Sequence, residues 1–292
     1  MKRARRPVRD LVIAVIIPAM IGLGVAAAIT SCVARAAAPA AREVTDRCVV
    51  VIDPDSGATI RSEGACAGRS TPESTFKIVL AVMGFATGVL KDAHDPAWEY
   101  DGRFPAPQRD RRRVDPAAWQ RDSVIWYSRE LTRRMAEREG PEVLARWVKR
   151  LGYGNQDASG DPGRDNGLTQ AWLNSSLAIS PEEQARFLVR LLRDELPVPA
   201  EVQAKTRAVI PVLDAPGGWR VRGKTGSTGR LEGPDGAQER GWFVGWAEKD
   251  GRRVVFAVRQ RERLAGEDGA FTGPRVRAWT LASLERLAGA AR

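Results

Sequence analysis

A serine sits three residues ahead of a lysine in Ser74-Thr75-Phe76-Lys77. Positions i and i+3 share one helix face, so the Lys77 amine would lie beside the Ser74 hydroxyl. The run from about Ser74 to Leu90 is apolar on all sides, which places that helix in the centre of a domain. Desolvation there pushes a lysine toward its neutral form. A neutral amine can take the serine proton and turn the hydroxyl into a nucleophile, and backbone N–H groups at the helix start could stabilise an oxyanion. A second element, Lys224-Thr225-Gly226, follows a strand-like run from Trp219. A lysine and a hydroxyl on an edge strand, with glycine allowing close backbone approach, suit recognition of a carboxylate. Each element alone is weak: Ser-x-x-Lys arises by chance in many proteins, and Lys-Thr-Gly also reads as a strand ending in a turn.

Other chemistries are excluded by composition. The chain has one histidine, His94, in a polar stretch, and no Gly-x-Ser-x-Gly elbow. A Ser-His-Asp triad therefore has no support. Zinc needs several His or Cys ligands, so no metal is expected and His94 reads as an ordinary surface residue. If the chain is a hydrolase, its base is a carboxylate or a lysine derivative.

The elements that must position these residues can be read in outline. Two short strands, Cys48 to Ile52 and Ala58 to Ser62, flank the turn Asp53-Pro54-Asp55-Ser56-Gly57. The Ser74 helix follows, then a polar loop from Asp92 to Asp115, and two amphipathic helices, about Ser123 to Glu139 and Glu142 to Leu151. A Gly/Asp/Asn-rich loop covers Tyr153 to Gly167. Ser180-Pro181-Glu182-Glu183 is a capping box opening a helix toward Leu192. Three strands come next: Trp219 to Gly223, Gly241 to Glu248 and Arg252 to Arg259, the last two joined by a Lys249-Asp250-Gly251 turn. A helix from Arg275 to Leu287 ends the pattern. The expectation is an α+β fold, in which both chain ends build one antiparallel sheet, helices flank it and a helical lobe is inserted. No linker or repeat divides residues 39–292, so they read as one domain.

Between the two elements lie further matches in order. Ser123-Val124-Ile125 resembles the Ser-x-Val element of the class D (oxacillinase) serine β-lactamases, and Tyr153-Gly154-Asn155, with Asp157 and Gly160-Asp161 behind it, resembles that class's Tyr-Gly-Asn box. Ala171-Trp172-Leu173 ahead of Ile179-Ser180-Pro181 is similar to its tryptophan-bearing loop. Gly241-Trp242-Phe243-Val244-Gly245-Trp246 is similar to its strand after Lys-Thr-Gly. The resemblance covers about residues 46–288. Class A enzymes use Ser-Asp-Asn and a loop glutamate; this chain has no Ser-Asp-Asn and no glutamate between Glu142 and Glu182. Transpeptidases of the superfamily usually carry Ser-x-Asn where Ile125 stands here. Two departures are isoleucine for the usual valine at 125, and Arg222-Gly223 where an aromatic-glycine pair is common.

The resemblance implies hydrolysis of β-lactams through an acyl-enzyme on Ser74. It implies that Lys77 carries CO2 as a carbamate and serves as general base, while Ser123 relays a proton to the lactam nitrogen. Trp172 would hydrogen-bond the carbamate, and Phe76, Ile125 and Leu173 would keep the pocket dry. Lys224, Thr225, Gly226 and Arg277 would bind the substrate carboxylate, with Arg275 as competitor for the arginine's role. Backbone N–H groups of Ser74 and Ser227 would form the oxyanion hole. No cofactor beyond CO2 or bicarbonate is implied. The alternatives are a β-lactam sensor domain that stays acylated, or a D,D-peptidase.

Composition bounds the rest. The 292 residues are 43% hydrophobic and 28% charged, a globular mixture. The net charge of +10 is no nucleic-acid footprint, because basic residues are interleaved with acids and not with stacking aromatics. Lys2, Arg3, Arg5, Arg6 and Arg9 precede an apolar run from Leu11 to Thr30, an export signal occupying about residues 1–38. Three endings fit: ordinary cleavage among the small residues 36–41, lipidation at Cys32 of Ile29-Thr30-Ser31-Cys32, or a retained anchor. Each puts the remaining chain outside the cytoplasmic membrane, periplasmic or anchored, as a monomer or dimer. In that oxidising setting Cys48 and Cys66 form an even pair and a candidate disulfide.

Overall fold

The computed structural model describes residues 42–265 and 271–289; the leader, including Cys32, lies outside them. These residues fall in one compact unit, Pro39–Arg292. The chain starts with strands β1 (Arg42–Ile52) and β2 (Thr59–Glu63), followed by helices α1 (Lys77–Ala86), α2 (Pro116–Asp122), α3 (Ile125–Glu139) and α4 (Val143–Leu151). A short α5 (Gly167–Gln170), α6 (Pro181–Leu192) and α7 (Ala200–Val209) complete the helical insertion. Strands β3 (Val212–Ala215), β4 (Trp219–Ser227), β5 (Gln238–Lys249) and β6 (Arg252–Leu264) then lead to α8 (Thr272–Ala288).

The strands form one antiparallel sheet in the order β2-β1-β6-β5-β4-β3. It is the α+β sheet built from both chain ends that the sequence implies, with one strand more. Cys48 to Ile52 is apolar without alternation because successive side chains enter two different cores. Val49 and Val51 pack with Phe256, Val276 and Leu284, on the α8 side. Val50 and Ile52 join the larger core with Ile78, Leu80, Leu131 and Leu188 from the helical lobe. A disulfide joins Cys48 to Cys66, tying the segment after β2 back to β1.

Among the boundaries that differ from the sequence reading, three shape the serine turns. The helix after Pro72 opens as a 3-10 turn, Glu73–Phe76, and becomes α1 only at Lys77. It stops at Ala86 because Gly88 takes φ +69° and Leu90 N–H returns to Gly84 O at 2.9 Å. Ser123 does not start a helix. It closes α2 in the left-handed region (φ 61°, ψ 37°), and α3 begins after Val124. The elements α2, α7 and β3 were not read from sequence. Yet α2 carries an ordinary start signal: the Asp115 carboxylate accepts Ala118 N–H at 2.7 Å and Pro116 occupies the first helical position,. The capping box on α6 forms as read, with Ser180 and Glu183 exchanging bonds of 3.2 and 2.8 Å.

Candidate active site

The turn before α1 presents Ser74, whose Oγ accepts a hydrogen bond from Lys77 Nζ at 2.8 Å. Lys77 is fully buried. Burial first, and the neighbouring Lys224 charge second, hold its amine well below the usual lysine pKa. Gln120 of α2 anchors this turn of helix by donating to Lys77 O at 2.7 Å. Beside it, Phe76 is stacked between rings. Trp172 lies at 5.5 Å centroid separation and 27°, and Tyr153 at 5.4 Å and 55°. Glu73 N–H donates to Trp172 O at 3.0 Å, so the tryptophan loop is bonded directly to the serine turn.

Trp172 is fully buried, yet its Nε1–H has no hydrogen-bond partner. Buried donors are paired in the great majority of cases, and an orphan costs about 1–3 kcal/mol. An orphaned N–H on the ring stacked against Phe76, with Lys77 next in the chain and its ammonium form disfavoured by burial, fits an anionic acceptor built on that lysine, which is what a carbamate would be. Of the three apolar side chains expected to keep the lysine dry, only Phe76 is fully buried. Ile125 and Leu173 are partly buried, and fully buried Tyr153 packs on Phe76.

Opposite the serine, Lys224 Nζ donates to Ser123 Oγ at 2.8 Å. Lys224 is 3% exposed; burial, then the Arg277 charge, lowers its pKa to about 7. The Lys-Thr-Gly stretch lies within β4. Because β3 pairs only with Trp219–Arg222, the segment from Lys224 to Ser227 leaves its outer edge open. Gly226 is required by close approach: a Cβ there would stand 2.9 Å from Pro72 O and 3.2 Å from Ser74 N. Ser227 Oγ accepts Gly273 N–H from the start of α8 at 2.9 Å.

A cavity of about 320 Å³ gathers Ser74, Ser123, Ile125, Thr225, Gly226 and Ser227, with Phe271 and Arg109 at its rim. A neighbouring cavity of about 460 Å³ shares Thr225 with it and takes in Lys224 and Arg277. The two arginines differ in surroundings: Arg275 Nε is engaged with the Glu262 carboxylate at 3.0 Å, whereas Arg277 lines the cavity with Lys224 and Thr225. Thus the sequence-derived serines, lysines and Arg277 converge, while the Cys48–Cys66 disulfide ties β1 to the segment after β2.

Sequence reasoning missed Glu73. Its carboxyl is 2% exposed, accepts Thr71 Oγ1 at 2.6 Å and Asn174 N at 3.0 Å, and is pushed up to about 7 by burial. Glu73 (φ 52°), Ser123 (φ 61°) and Asn174 (φ 50°) are all non-glycine residues in the left-handed region. Strained backbone of this kind clusters at functional sites. Among the described residues no group of three or more His, Cys, Asp or Glu is placed to hold a metal ion; His94 is exposed and bonds Asp115 at 2.8 Å.

Residues 47–279 match the family described as penicillin binding protein transpeptidase domain. Together, the fold and a Ser-Lys pair facing a Ser-Lys-Thr edge define a penicillin-recognising serine enzyme. Within that class, the chain is 46% identical over 219 residues to Beta-lactamase OXA-9 of Klebsiella pneumoniae, covering 73% of this chain and 78% of that one. It is 33% identical over 217 residues to Beta-lactamase OXA-1 of Escherichia coli, covering 73% and 75%. The crystal structure of OXA-427 class D β-lactamase matches with a TM-score of 0.71 at 38% identity, over 82% of this chain and 97% of that one. The class D β-lactamase from Bacillus subtilis matches at 0.66 and 27%, over 85% and 93%. The chain belongs to the class D serine β-lactamases.

Proposed function

We propose that this protein hydrolyses β-lactam antibiotics through an acyl-enzyme on Ser74. The observation that carries the reading is the pairing of a buried, depressed-pKa Lys77 with Ser74 Oγ at 2.8 Å, together with an orphaned Trp172 N–H on the ring stacked against Phe76. Ser74 Oγ attacks the lactam carbonyl, whose oxygen is received by the backbone N–H groups of Ser74 and Ser227. Ser123, held by Lys224, passes a proton to the leaving lactam nitrogen. Lys224, Thr225 and Arg277 hold the ring carboxylate. Lys77 would hold CO2 as a carbamate, and the bound group would supply a general base for acylation and deacylation. Trp172 Nε1–H and the Ser74 hydroxyl would be the donors to such an anion in an apolar pocket, and Phe76 would help exclude water from it.

Steady-state turnover of the chromogenic cephalosporin nitrocefin tests the reading. Sustained hydrolysis is expected; a stoichiometric burst followed by arrest would instead mark a sensor or a D,D-peptidase. The protein acts outside the cytoplasmic membrane, with residues 1–38 as export signal and residues 39–292 as catalytic domain. Among the described residues no helix is long and apolar enough to cross a membrane. Membrane attachment therefore rests on the leader: if Cys32 is lipidated, Cys32→Ser releases the protein from membranes. Unchanged fractionation with a mature N-terminus near Ala37 would identify plain cleavage.

A further inference from the structure

The 460 Å³ cavity beyond Thr225 is larger than the carboxylate clamp needs. Its walls come from α2, the end of α7 and the segment after it, β3, β4, β5 and α8. Four cations line it, Arg121, Arg222, Lys224 and Arg277, and no lining residue is acidic. Arg121 is paired with Asp122 at 2.8 Å, and the Glu248 charge acts on Arg222. The cavity's accessible apolar wall includes Val212 and Leu213, with buried Ile210 and Phe243 behind them.

The orientation of a substrate follows from the two shared elements. Its reacting carbonyl sits at Ser74 and Ser227, and its ring carboxylate reaches Thr225, which lines both cavities. In a cephalosporin the carbon beside the carboxylate-bearing carbon carries the ring substituent. That substituent then points past Thr225, away from Ser74. We infer that the second cavity is a subsite for this ring substituent, and that it favours one with an apolar stem and an anionic tip. The apolar wall takes the stem, and Arg222, the lining cation engaged neither by the ring carboxylate nor by Asp122, takes the tip. The inference rests on the acyl-enzyme reading above. It goes further by naming a substrate class within it.

A matched pair of cephalosporins tests it. Both carry the same mandelyl side chain and a tetrazolylthiomethyl ring substituent; one tetrazole bears methyl, the other sulfomethyl. The sulfonate should show kcat/KM about fivefold higher, the size of one partly exposed ion pair. Arg222→Gln and Ala208→Trp should each bring the ratio toward one. Ala208 is exposed on α7 and lines the cavity, so tryptophan there fills space without entering the core. As a folding control, Ala208→Trp should leave hydrolysis of a cephalosporin with a bare methyl substituent unchanged. Equal rates for the pair, or a ratio that Ala208→Trp does not move, would overturn the subsite. So would hydrolysis of neither compound while penicillins turn over. Failure to hydrolyse any β-lactam would instead overturn the reading of the site itself.

Discussion

Replacing Trp172 with phenylalanine removes one N–H and keeps a flat ring against Phe76. In the unmodified protein that N–H is buried and unpartnered, so its desolvation cost of about 1–3 kcal/mol is already present. Trp242 is the internal control: its Nε1 donates to Thr71 O at 3.0 Å, fully buried. Trp242→Phe breaks a made bond and strands a carbonyl. Trp172→Phe should therefore cost less stability than Trp242→Phe by about 1–3 kcal/mol, since both lose the same volume. Activity should move the other way. A hydrogen bond to an anion contributes about 1.5–3 kcal/mol, so the bicarbonate needed for half-maximal activity should rise roughly tenfold to hundredfold in Trp172→Phe. Denaturant unfolding measures the first effect. The second is read by titrating bicarbonate against nitrocefin hydrolysis in degassed, mildly acidic buffer, where a carbamate is protonated and loses CO2. Full activity without CO2 in both wild type and variant would refute the reasoning and make unmodified Lys77 the base.

Ser74→Ala should abolish turnover and leave thermal unfolding near wild type, and a slow β-lactam should label only the Ser74 peptide by mass spectrometry. The Glu73 carboxyl, near Lys77 and Arg240, has its pKa raised from 4.5 to about 7 by burial. Below pH 4.5 both folded and unfolded states hold the proton. Between there and pH 7 only the unfolded state ionises, so stability falls by about 3 kcal/mol as pH rises. Glu73→Gln should flatten that slope, and parallel stability–pH profiles of the two proteins would refute it. Arg277→Ala should lower kcat/KM about tenfold or more through loss of a charged hydrogen bond. Arg275→Ala should leave kcat/KM intact and cost at most about 1 kcal/mol, because Glu262 keeps Arg42 at 3.1 Å.

What could be read from sequence was local or repetitive. Ser74 and Lys77 meet because i and i+3 share a helical face, and the α6 capping box is complete within four residues. The choice between Arg275 and Arg277 was not local. The two stand about 200° apart around α8, at roughly 100° per residue, and nothing in the sequence fixes the rotation of that helix against the sheet. Ser123 was assigned to a helix because its neighbours are helical. Its left-handed turn makes sense only once Lys224, 101 positions away, is seen bonded to it. Glu73 resembled any acid in a first turn; what buries it is the Trp172 loop folding over it. Strand β3 was missed because it is four residues long and pairs only with β4.

Strand β1 is flanked by β2 on one side and β6 on the other, with Val49 opposite Val258. During synthesis, β1 emerges early and waits for a neighbour made some two hundred residues later, so the sheet cannot close until nearly the whole domain exists. Such long-range pairing slows folding, and an unpaired apolar strand is a template for other chains. Chains cut short before β6 would therefore carry Cys48 to Ile52 with one flank bare. Their fate is self-association, not weak activity.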